Sequence, residues 1–149
     1  MIHGQHGQVM AFIAVALGLV VMPVAAYAID SATVSAAAAA LEEATATAAV
    51  EASQQLDITE FRAVGVLSVD AAAARTVAQT ILAAEVPMAS ITSVTARGAE
   101  ITIATHEDVA LPFDFFPERG VRLQASASAR LAGGYDRPSS RLPLPISTF

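Results

Sequence analysis

The 149-residue chain contains no cysteine and no lysine: its eight basic residues are all arginine, set against 14 acids for a net charge of −6. Without cysteine, disulfides, thiolate nucleophiles and Cys-ligated metals are excluded, and cysteine usage says nothing about redox compartment. Without lysine, a Walker-type phosphate loop and Schiff-base chemistry are excluded as well. The arginines are scattered and form no basic cluster, which argues against a phosphate-tracking surface and so against nucleic acid as a partner. Basic charge is missing altogether before Arg62, so the start of the chain has neither the positive n-region of an ordinary export signal nor a charge bias that would orient a membrane span.

Apolar residues make up 54% of the chain, but alanine supplies much of that share, so a small and thinly packed domain is expected. The dominant stretch is Val9–Ile29, 21 residues without a charge. At about 1.5 Å rise per residue it reaches roughly 30 Å, the thickness of a bilayer's hydrocarbon core. Ten of its residues are Ile, Leu, Val or Phe. On the insertion scale these contribute about −3 to −6 kcal/mol, offset in part by Gly18 and Pro23.

Beyond Asp30, Ser31 to Ala52 is alanine-rich and strongly helix-favouring. One helix, kinked at Pro23, is expected to run from the membrane to about Gln55. Val34, Ala37, Leu41, Ala44 and Ala48 share one stripe, and Ala14 and Gly18 form a small-xxx-small pair within the apolar run. Both are candidate helix-packing positions. Glu42, Glu43 and Glu51 have no basic partner at helical spacing and read as a solvated acidic face.

Ser53 to Asp70 reads as an irregular connection with a short strand over 63–69. Asp70 then caps a second helix ended by Pro87, with Ala74, Val77, Ala78, Ile81 and Leu82 on its core side. The period changes to two in the last third. Strands are expected over 91–96 and 100–105, joined by Arg97-Gly98-Ala99, then over Val109, Leu111, Phe113 and Phe115, which Pro112 confines to an edge or bulge. The cleanest alternation is Val121 to Leu131, with one buried and one wet face. From Gly133 on, Gly, Pro and Ser predict a Pro-rich tail.

The expected fold class is therefore α+β: a long N-terminal helix, membrane-spanning with an Ala-rich extension, followed by one helix and a small three- to four-stranded antiparallel sheet. The expected divisions are a tail over 1–8, a transmembrane helix over 9–29, a helical extension over 30–55, an exported domain over 56–132 and the tail over 133–149. His106, Glu107 and Asp108 form the one compact titratable group, expected in a solvated turn; His3 and His6 are too few to fix a metal. No nucleophile or anion cradle accompanies them. The expectation is a protein that is not an enzyme and uses no cofactor, metal or small-molecule substrate.

Several stretches resemble the TadE/TadG-like minor pseudopilins of tight-adherence (Flp-type) pilus assembly: GQVMAF from Gly7 to Phe12 opening the apolar run, Ala28-Ile29-Asp30 closing it, LEEATATAA from Leu41 to Ala49, and the small-residue strand Gly120 to Leu131. The resemblance implies a single-pass protein of the cytoplasmic membrane, its C-terminal domain outside, acting in pilus or secretion machinery by packing against other pilin-like proteins. In that family the prepilin peptidase cuts after a glycine, a place Gly7 holds here, with Phe12 where processed relatives carry glutamate. The alternative is a secreted binding or adhesion domain released by signal peptidase after Ala28, where Ala26-Tyr27-Ala28 forms an A-x-A site.

Overall fold

A computed structural model describes residues 4–113 and 120–131. Its elements in chain order are α1 (Gly4–Ser53), α2 (Ile58–Val64), α3 (Ala71–Glu85), β1 (Ser90–Arg97), β2 (Glu100–Ala110) and β3 (Gly120–Arg130). The α+β class, the long first helix and the antiparallel sheet are as the sequence predicts. Phe115, His3 and the 133–149 tail lie outside the described residues.

The helix α1 is continuous for 50 residues and passes through Pro23 without a break in assignment. It ends two residues short of Gln55, where turns replace the helical ladder. Neither of the divisions expected at 8/9 and 29/30 interrupts the backbone, because nothing between Gly4 and Ser53 combines a cap with a breaker.

The connection after α1 corrects the expectation of a strand over 63–69. Asp57 accepts the backbone N–H of Glu60, and Gly65 closes the other end at φ +70, giving the short helix α2. Only the rim of the connection pairs: a single bridge joins Leu56 to Val69, flanked by Asp57 N–H to Ser68 O and Asp70 N–H to Gln55 O. The helix α3 starts as predicted, with Asp70 Oδ1 accepting from Ala72 and Ala73 at 2.9 and 3.0 Å. It stops before Pro87.

The sheet has order β1-β2-β3, antiparallel throughout. Gly98, at φ +58, makes the tight turn between β1 and β2. A bulge between Ile91 and Ser93 interrupts the β1 ladder. The strand β2 is longer than expected. Its second half, Thr105 to Ala110, pairs residue by residue with Ala125 to Gly120 of β3. The separate strand expected over 109–115 is thus absent among the described residues: Val109 belongs to β2, and Leu111 to Phe113 form a bend after it. Pro112, which has no N–H to donate, follows directly on the end of the ladder.

Both long helices cover one face of the sheet, α1 over β2 and β3 and α3 over β1. The core joins Ala44, Ala48, Ala49 and Ala52 of α1 to Ala74, Ala78 and Leu82 of α3 and to Ile101 and Ile103 of β2. The clean alternation of β3 is observed, with Leu123, Ala125, Ala127 and Ala129 turned towards α1 and Gln124, Ser126, Ser128 and Arg130 exposed. Six alanines supply little area, but they allow close approach of helix to helix and helix to sheet, and the larger Leu41, Ile101 and Ile103 fill the space between.

Two buried hydroxyls register α1 on β2. Thr45 Oγ1 lies 2.6 Å from Leu41 O and 2.6 Å from Thr105 Oγ1. The carbonyl can only accept, so Thr45 donates to it and Thr105 donates to Thr45. With its one proton committed, Thr105 has none for Ala125 O, 3.5 Å away. Thr45→Val would leave the Thr105 hydroxyl buried without its acceptor and should cost about 1–3 kcal/mol, whereas adding Thr105→Val should recover part of the loss. Chemical unfolding in detergent, run as a double-mutant cycle, reads the coupling; strictly additive losses would show that the pair is not a unit.

Candidate functional site

The candidate helix-packing residues separate into two groups. Leu41 and Ala44 are 1% exposed and Ala48 is fully buried, and Ala44 and Ala48 belong to the core shared with the sheet and α3. Ala37 and Val34, further towards the apolar run, are half-buried. A stripe predicted from periodicity to meet a partner is, over its C-terminal half, the interior of this domain. Ala14 and Gly18 are exposed, and a Cβ built on Gly18 meets nothing within 4 Å. The small-residue groove of the apolar run is therefore open on α1.

Around that groove α1 is exposed on all sides. Phe12, Leu19 and Met22 are each more than 70% open, with Val15, Leu17, Val20 and Val24 above 60%. From Val9 onwards α1 is the one helix among the described residues long and apolar enough to cross a membrane. Removing side chains of this size from water is worth about 1.5–3 kcal/mol each. A helix apolar on every face has no stable place in water alone.

The outer end of this segment is built differently. Ala26 and Asp30, one turn apart, are 4% and 3% exposed. Asp30 Oδ1 accepts the backbone N–H of Phe113 at 3.2 Å, while Oδ2 is buried with no hydrogen-bond partner among the described residues. The sequence marks Asp30 only as the end of the apolar run; its bond to a residue 83 positions later has no local signal. Both ends of the A-x-A site, Ala26 and Ala28, are helical, as is Gly7.

The group His106, Glu107 and Asp108 lies within β2, not in a turn, because β3 supplies a partner for each of its residues. Strand alternation then separates the three. His106 and Asp108 face away from the helices, and Glu107 faces them with Ile103 and Thr105, its Oε2 buried and without a hydrogen bond among the described residues. His106 Nδ1 meets Thr92 Oγ1 at 3.0 Å, and Asp108 is held by Arg122 through two bonds, 2.7 Å from Nε and 3.0 Å from Nη2. No three His, Asp or Glu side chains converge on a metal-holding geometry among the described residues. The outer face around them is a grid of hydroxyls and charges, including a 2.8 Å contact between Thr102 and Ser128. At the opposite end from the apolar run, α2 leaves Ile58, Phe61 and Val64 exposed.

The bidentate bond to Arg122 holds the Asp108 carboxyl below its ordinary range, and the same contact raises the Arg122 guanidinium. A depressed carboxyl stabilises the fold fully above its unfolded titration point, and that stability is lost as pH falls through the folded one. Carbon-13 NMR of Asp108 should show the lowered midpoint, and Arg122→Gln should return it towards the ordinary value. A midpoint unmoved by the substitution would remove Arg122 as the cause. Comparison with protein-family models, curated proteins and solved structures finds no match to this chain.

Proposed function

We propose that the protein is a non-enzymatic, single-pass component of the cell envelope, anchored in the cytoplasmic membrane with its C-terminal domain outside, and that it works in pilus or related secretion machinery by packing its apolar helix against pilin-like partners. The observation that carries the reading is the division of α1: Val9 to Met22 is open on every face, whereas the same helix from Leu41 to Ser53 is the core of an α+β domain. One element thus serves as both anchor and scaffold, with no linker between the two roles. The resemblance to TadE/TadG-like proteins supports the machinery and the orientation.

Ala14 and Gly18 form the proposed contact within the bilayer, where small residues let helix backbones approach. The outer stripe contributes at most through Val34 and Ala37, since Leu41, Ala44 and Ala48 are occupied internally. The helical state of Ala26 to Ala28 supports a retained anchor, because signal peptidase acts on an extended segment.

Carbonate-washed membranes and culture medium, analysed by intact mass spectrometry, test the anchor. A membrane-bound chain retaining Val9–Ile29 is expected; a mature chain in the medium beginning at Ile29 would establish the secreted alternative instead. Gly18→Leu should reduce cross-linking to pilin-like partners in native membranes severalfold without releasing the protein from them. Unchanged cross-linking would eliminate this groove as the contact.

A further inference from the structure

The covered stripe of α1 does not stop where the apolar run begins. Asp30, Ala26 and, half-buried, Pro23 continue it at helical spacing, so that cover extends roughly 9 Å below Ile29 along the helix axis. The helix's own side chains do not account for this. Ala25 and Ala28 have equivalent helical neighbours and are exposed, so Ala26 is covered by chain from outside α1. The described residue that bonds to this turn is Phe113, through its N–H to Asp30. Helical side chains tilt towards the N-terminus, so the Asp30 carboxylate sits at the level of the last apolar turn and brings the 111–113 bend down to it.

We propose that this bend, Leu111-Pro112-Phe113, is a second membrane contact, seated in the boundary between headgroups and acyl chains of the same bilayer that holds α1. The inference rests on the anchored reading above. Three observations converge on it. The bend is apolar, and Phe113 remains 40% exposed with Tyr27 and Ile29 of α1, 60% and 47% exposed, at the same level. Pro112 has no N–H, so the bend has two backbone donors, and Asp30 accepts that of Phe113 in a setting where an unpaired donor is costly. The occupant is lipid because the patch is continuous with the exposed apolar surface of α1 and lies at its outer end, where amphipathic and aromatic side chains collect.

The chain has no tryptophan, so single substitutions report without background. Full-length Phe113→Trp and Leu111→Trp, reconstituted in phosphatidylcholine vesicles, should show blue-shifted emission quenched by lipids brominated near the headgroup. Val15→Trp should be quenched by lipids brominated deep in the chain, and Ser126→Trp, on the outer sheet face, by neither. Deep quenching of Val15→Trp with both bend reporters emitting like Ser126→Trp would overturn the second contact and leave the anchor standing. Absence of quenching at Val15→Trp would overturn the anchor, and this inference with it.

Discussion

The alanine face of α1 approaches β2, β3 and α3 so closely that the rest of the fold is arranged around that distance. Ala44, Ala48, Ala49 and Ala52 offer few atoms to bury, and what they provide is proximity, which brings Ile101, Ile103 and Leu82 into one core with them. Such a core resists enlargement more than it resists truncation. It is also poor in shape information, since one alanine looks much like the next. The Thr45–Thr105 pair supplies what the alanines do not, because sliding α1 along the sheet would take from the buried Thr105 hydroxyl its close partner and leave it Ala125 O at 3.5 Å.

The two halves of α1 solve opposite problems with one backbone. From Val9 to Met22 the side chains are uncharged, mostly large and apolar, and exposed in every direction, fit for a surrounding apolar solvent. From Leu41 to Ser53 they are mostly small and buried on one side, with Glu42, Glu43 and Glu51 open on the other. Between them, Asp30 joins the helix to the end of β2 and so ties the sheet to the level at which the helix changes surroundings. On the sheet, strand alternation sets His106 and Asp108 on one face and Glu107 on the other.

Much of this was legible in the residues. Length and apolarity identified the first helix, Asp70 and Pro87 delimited α3, and alternation from Val121 onwards marked β3 with its correct inner face. What escaped depended on partners distant in sequence. His106 to Asp108 look like a polar turn until β3 is laid beside them, and Asp108 then acquires Arg122. The α2 caps, Asp57 and Gly65, were readable in principle but sit in a stretch with little period. Periodicity showed that Leu41, Ala44 and Ala48 are covered; it carries no information on whether the cover is another protein or the chain's own sheet.

Pro23 gives the assembly a mechanical character. A proline inside a helix removes the bond to the carbonyl four residues back, here that of Leu19, and leaves the weakest point of the rod at that turn. From Val9 on, the same residue is the first of the helix that is half-buried. From Pro23 to Ser53 the helix is unbroken and carries the sheet, so its softest turn lies inside the apolar segment instead of in an exposed tether. In the anchored reading proposed above, load on the domain would pass along this single helix to a turn within the bilayer, where tilting needs no unfolding.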